Sequence, residues 1–132
     1  MKNTKRLGAV LACIFLVAAL FAGCSQNAGE KISVSVKITG PENVLLEETA
    51  AVAQENPTAK DAIIAACQEK KMAFTYEKTM FDNFDNIAST KTDGWLLYVN
   101  GKLSDVGADT AQIAEGDLVE FRYENYDQAF AQ

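Results

Sequence analysis

Few side chains in this sequence can carry covalent or acid–base chemistry, and their spacing narrows the choice further. The 132 residues include three cysteines, Cys13, Cys24 and Cys67, and no histidine. That excludes Ser-His-Asp catalysis and most zinc sites, which need histidine or several cysteines. Cys67 falls on the apolar side of a helical pattern, the setting of a packed, unreactive thiol rather than a nucleophile. Asp82-Asn83-Phe84-Asp85-Asn86 is acidic enough to suggest calcium. It lacks the Asp-x-Asp-x-Asp-Gly spacing and the bidentate glutamate of a calcium loop, so it reads as a solvated turn. Carboxylates are plentiful, yet nothing in their spacing selects the pair that a two-carboxylate hydrolase needs. Gly94, Gly101, Gly107 and Gly116 are spread one to a turn and form no phosphate-binding loop. These residues predict a chain with no catalytic residue, no metal ligands and no cofactor.

Cys24 offers different chemistry. It closes Leu20-Phe21-Ala22-Gly23-Cys24, after Lys2, Lys5 and Arg6 and a sixteen-residue uncharged run from Leu7 to Ala22. A membrane-spanning helix needs about 20 apolar residues, so this run is marginal as a permanent span. A basic start, a short apolar core and small residues before a cut are the marks of a secretory signal. With a cysteine directly after Gly23 and polar Ser25-Gln26-Asn27-Ala28-Gly29 following, residues 1–23 resemble a bacterial lipoprotein signal peptide, Phe21 standing where leucine is usual. The resemblance implies cleavage before Cys24, a diacylglyceryl group on its sulfur, and lipid anchoring to the extracytoplasmic face of the cell membrane. A plain secretory cut after Ala22-Gly23 and an uncleaved anchor are the alternatives. Two acyl chains hold a protein on a bilayer where one does so only marginally. Residues 24–30 are then the lipidated cysteine and a tether, whose six residues from Ser25 extend about 20 Å.

Removing residues 1–23 takes away three of twelve basic residues and none of eighteen acidic ones, leaving 9 − 18 = −9. This balance argues against nucleic acid, whose affinity comes largely from Lys and Arg on phosphates, and against docking on anionic headgroups. About 100 residues remain beyond the tether, enough for one domain with a core. Cys67 has no partner left within the chain, so no disulfide is predicted.

The elements that must position any site follow from periodicity. Lys31 to Thr39 alternates strictly, with Ile32, Val34, Val36 and Ile38 on one face, as in a half-buried strand. Gly40-Pro41-Glu42 turns the chain, and Val44 to Thr49 returns as a second strand. Thr58 with Asp61 three residues on resembles a capping box and starts a helix to about Lys71. Its inward stripe is Ala59, Ala62, Ile63, Ala66 and Cys67. Phe74 and Tyr76 suggest a strand, and Phe81, Phe84 and Ile87 an irregular segment. Gly94 to Tyr98 is a strand ended by Asn100-Gly101, a pair suited to a type I′ hairpin. Glu115-Gly116-Asp117 turns into a last strand, Leu118 to Tyr123, with Val119, Phe121 and Tyr123 on one face. Residues 126–132 are expected to be a loose tail. The order predicts an α+β domain, one helix on a mostly antiparallel sheet.

Thr58-x-x-Asp61-Ala62-Ile63, Gly94-Trp95-Leu96-Leu97-Tyr98-Val99-Asn100-Gly101 and Gly116-Asp117-Leu118-Val119-Glu120-Phe121-Arg122-Tyr123 occur in an order and spacing that resembles the transcobalamin-like C-terminal domain family. The likeness covers residues 31–125. It implies a β-grasp-like fold and, from the cobalamin carriers of animals, a corrinoid ligand covered on one face. Those carriers also possess a large helical domain, for which this chain has no room. On this reading Trp95 packs inward with Leu97 and Val99, while Tyr98 faces outward with Leu96, open to a flat ligand or a protein partner. Tyr98, Asn100 and Trp95 are therefore the candidate ligand-binding residues, although turn geometry alone accounts for Asn100-Gly101 and Gly116-Asp117. Two functions are in view: non-catalytic capture of a corrinoid-like ligand, or docking on another envelope protein with no small-molecule ligand.

Overall fold

The computed structural model describes residues 30–132; the expected signal peptide and Cys24 lie outside them. The alternating segment forms β1 (Ile32–Thr39), with Val34, Val36 and Ile38 buried, and pairs antiparallel with β2 (Val44–Val52). Helix α1 (Ala59–Lys70) starts as its sequence dictates: the Thr58 backbone N–H and hydroxyl both donate to Asp61 Oδ2, at 2.9 and 3.0 Å. Two more first-turn donors are satisfied from a distant loop, Ala59 N–H by the Ala111 carbonyl at 2.8 Å and Lys60 N–H by that of Ala108 at 2.9 Å. Helix N-termini leave such groups unpaired unless something outside the helix accepts from them. The predicted stripe of Ala59, Ala62, Ile63, Ala66 and Cys67 is buried in full, and its small side chains let α1 lie close over β1 and β2.

The remaining strands are β3 (Phe74–Glu77), β4 (Met80–Phe84), β5 (Ile87–Ala88), β6 (Asp93–Val99), β7 (Lys102–Leu103) and β8 (Leu118–Asn125). They make two sheets, a five-stranded one in the order β2-β1-β8-β6-β7 and a three-stranded meander β3-β4-β5. All pairings are antiparallel except that of β1 with β8, which run parallel in the middle of the larger sheet. The architecture is thus α+β with a mostly antiparallel sheet.

Two expectations need correction here. The segment around Phe81, Phe84 and Ile87 is a regular meander, not irregular chain. Its reversals at Lys78-Thr79 and Asp85-Asn86 place both residues of each pair at positive φ, as Asn100-Gly101 also does. That is the geometry of tight hairpins. Likewise, the expected loose tail contains a short second helix, α2 (Tyr126–Phe130), capped by Asn125 Oδ1 accepting from Gln128 N–H at 3.2 Å. Its Ala129 is buried, and its start is fixed by Tyr126 N–H donating to the Thr92 carbonyl at 2.9 Å.

The two sheets meet through aromatic rings. Phe84, fully buried, lies 5.4 Å from Phe81, 5.0 Å from Trp95 and 5.2 Å from Phe121, centroid to centroid. Trp95 is in the core as expected, its indole N–H donating to the Ile87 carbonyl at 2.8 Å. The smaller sheet is thereby held against the inward face of β6 and β8.

Candidate functional site

Along one edge of β6 runs an apolar cleft of about 170 Å³. Its walls are Thr79 to Phe81 at the start of β4, Trp95 to Leu97 of β6, Leu103, Ser104 and Val106 to Ala108, with Phe121 of β8 beneath and Phe130 of α2 at one end. The 103–108 loop that forms one wall is also the one whose Ala108 carbonyl accepts from the first turn of α1, so the cleft is built on a fixed support. Among the described residues four large apolar side chains remain exposed: Val44, Met80, Val106 and Phe130. The last three all border this cleft. Exposed apolar residues scattered singly need no explanation, whereas a cluster around a hollow marks a binding surface.

Of the three residues expected to form a site, only Trp95 lines the cleft. Tyr98 does face away from Trp95, as alternation requires, but it is not open to a ligand. It is 6% exposed because the Arg122 guanidinium from the neighbouring strand lies 3.9 Å from its ring centroid. Arg122 is held there by Glu120, which accepts from its Nη2 at 3.0 Å and is itself buried. Burial, reinforced by the adjacent Glu124 carboxylate, raises the Tyr98 phenol above its ordinary value. Asn100 sits at the strand end with its amide engaged: Nδ2 donates to Asp117 Oδ1 and Oδ1 accepts from Leu118 N–H, both at 2.9 Å. The second Asp117 oxygen accepts from Ala114 N–H at 2.8 Å. These bonds clasp two turns together. The structure therefore does not bring Tyr98, Asn100 and Trp95 into one surface.

Cys67 is fully buried, and burial alone pushes its thiol up to about 12, which keeps it protonated and unreactive at neutral pH. No group of three or more metal-ligating side chains occurs among the described residues. No described helix is long and apolar enough to cross a membrane.

The sequence pattern of a domain of unknown function, DUF4430, matches residues 56–125, from the approach to α1 to the end of β8. The chain belongs to the DUF4430 family. No curated protein matches it. Solved structures share the fold of this DUF4430 protein, two of them as follows. Haptocorrin in complex with Cbi superimposes with a TM-score of 0.67 at 17% identity, covering 76% of this chain. The match takes in only 26% of the haptocorrin chain. A protein from Ruminococcus gnavus ATCC 29149, described as a candidate metal binding protein, gives a TM-score of 0.52 at 12% identity over 71% of this chain and 97% of its own.

No spacing or motif points to Met80, Val106 and Phe130. Met80 precedes Phe81, Val106 lies between Asp105 and Gly107, and Phe130 lies between two alanines, so nothing local links them and only the fold gathers them.

Proposed function

We propose that this chain is an extracytoplasmic lipoprotein, anchored through Cys24, whose β-grasp-like DUF4430 domain binds a ligand at the β6-edge cleft without transforming it. The parallel pairing of first and last strands beneath a crossing helix supports the β-grasp reading. The lack of histidine and the buried state of Cys67 support a non-catalytic role. The observation that carries the reading is the convergence of Met80, Val106 and Phe130 on one apolar hollow.

A corrinoid is the first ligand class to test, by resemblance to the animal carriers. At about 170 Å³ the cleft is smaller than the roughly 300–1,000 Å³ of pockets that enclose a whole small molecule. It can take one edge of such a ligand, not surround it. Covering the three rim side chains contributes on the order of 3–5 kcal/mol, which corresponds to about millimolar affinity. Tight capture therefore requires a second surface on the far side of the ligand, and a lipid anchor concentrates the domain beside membrane partners that could supply one.

Trp95 is the only tryptophan and borders the cleft, so its emission reports on occupancy. Titration of the purified full chain with cobinamide is expected to give saturable heat and a change in Trp95 emission, both weakened by Met80→Asp. No heat at millimolar cobinamide removes the corrinoid as a stand-alone ligand. For the anchor, Cys24→Ala is expected to release the protein from membranes; retention without a change in mass refutes lipidation. A second reading, docking of a protein partner at the same cleft, is favoured by the unfilled backbone edge of β6.

A further inference from the structure

Trp95, Leu96 and Leu97 are consecutive in β6, yet all three border the cleft. Side chains of a strand alternate between its two faces, so one face cannot present three neighbours in a row. The cleft, floored by Phe121 of β8, therefore opens past the inward face onto the backbone edge of the strand.

On its opposite edge β6 is paired with β8 from Asp93 to Val99. On the cleft side pairing is interrupted. Tyr98 and Val99 pair with Leu103 and Lys102 across the hairpin, and the Leu97 carbonyl accepts from Ser104 N–H at 2.8 Å. Further along, Trp95 N–H reaches Ser89 Oγ at 3.4 Å. In an antiparallel ladder alternate residues direct both backbone groups to the same side. The Trp95 carbonyl and the Leu97 N–H thus point into the gap between these contacts, and neither has a hydrogen-bond partner among the described residues. A carbonyl and an N–H two residues apart on one edge are the pair that a single residue of an adjoining parallel strand satisfies. A backbone edge left open beside an apolar hollow is a template for another chain.

We propose that the DUF4430 domain of this chain captures an extended polypeptide segment by strand addition to β6, with an apolar side chain of that segment seated among Met80, Val106 and Phe130 and basic residues flanking it. This rests on the protein-partner reading of the cleft. The free amide pair selects an occupant with a peptide backbone of its own. Charge selects its sign. Residues 30–132 hold nine basic and eighteen acidic side chains, a net −9, and the elements around the cleft carry Asp105, Asp109 and Asp127 against Lys78 and Lys102. The same balance opposes a second copy: the long outer strand β2, which a copy would offer, bears Glu47 and Glu48 on a domain of like charge.

The test uses the purified full chain and the peptide acetyl-KTVTLTVTK-amide, beside the same peptide N-methylated at its central leucine. Strand addition predicts a saturable shift of Trp95 emission and slowed hydrogen exchange at the Leu97 amide. N-methylation removes one donor and is expected to weaken binding by about tenfold. Met80→Asp is expected to weaken it similarly while leaving the far-UV spectrum unchanged. If the N-methylated peptide binds equally and the Leu97 amide stays unprotected, strand addition is wrong, although the cleft reading survives. If cobinamide binds and neither peptide does at millimolar concentration, the partner is not polypeptide. If neither peptide nor cobinamide moves Trp95 emission, both this inference and the cleft reading fall. A peptide-independent dimer with the Leu97 amide protected in it would assign the edge to a second copy instead and overturn the proposal.

Discussion

Phe84 joins the two sheets, and its removal tests whether the smaller sheet is a structural wall of the cleft. The side chain is fully buried and its ring contacts those of Phe81, Trp95 and Phe121 at 5.0 to 5.4 Å. Truncating a buried phenylalanine to alanine costs about 3–5 kcal/mol, through lost transfer energy and the cavity left behind. Each aromatic pair adds about 0.5–1.5 kcal/mol beyond its area, so Phe84→Ala belongs at the upper end of that range. Against a total stability of about 5–15 kcal/mol, the variant loses roughly a third of it or more. Phe84→Leu keeps most of the volume and loses only ring geometry, for an expected cost of about 1–2 kcal/mol. Urea unfolding followed by Trp95 emission measures both, since the indole is bonded to β5 through the Ile87 carbonyl. Phe130→Ala, at 66% exposure, is the control and should change stability by no more than about 0.5 kcal/mol. A cost below about 1 kcal/mol for Phe84→Ala would refute the packing of the meander on the main sheet, and with it the cleft's wall.

Three further outcomes follow from the geometry. A Cβ on Gly94 would lie 2.0 Å from Tyr126 Oη and 2.8 Å from Ser89 Oγ, so Gly94→Ala should displace the Tyr126 side chain and loosen α2; a heightened proteolysis of the C-terminus would show this, and Tyr126→Ala should relieve it. Asn100→Ala removes two side-chain hydrogen bonds and leaves alanine at a φ of 52°, for an expected loss of about 1.5–3 kcal/mol in thermal or urea unfolding, with Asn100→Gly costing less because only the bonds are lost. Finally, burial raises Cys67 from 9.0 to about 12 and raises Tyr98 from 10.0. Both ionise more readily in the unfolded chain, so the folded state holds more protons in that interval. Stability should be level below about pH 8 and fall as pH rises toward 12, and a flat alkaline limb would contradict the burial of both groups.

Much of the fold was legible locally. The alternation of β1, the Thr58–Asp61 cap, the alanine-rich stripe of α1 and the Asn100-Gly101 reversal each arise from short-range rules, and each is found where those rules put it. The meander escaped because Lys78-Thr79 and Asp85-Asn86 carry out tight reversals without a glycine, so the usual punctuation is missing. Alternation assigns Tyr98 to the correct face but not to its buried environment. Strand period sets direction only, and its cover comes from Arg122 on a neighbouring strand, held by Glu120. The cleft was illegible for the same reason: Met80, Val106 and Phe130 come from three separate segments whose meeting depends on register and sheet order.

The parallel pairing of β1 with β8 has a consequence for how this chain comes to be folded. Ser35 to Thr39 lie beside Leu118 to Arg122 in the middle of the sheet, so the earliest strand of the domain is completed by the latest. A chain emerging from its N-terminal end first must keep the β1–β2 hairpin waiting, its inner edge unpaired, until nearly every residue is out. Contacts of such sequence separation slow folding and expose strand edges meanwhile. Nascent chains halted before Leu118 are therefore expected to stay protease-sensitive throughout, with resistance arriving in a single step once Arg122 has been released.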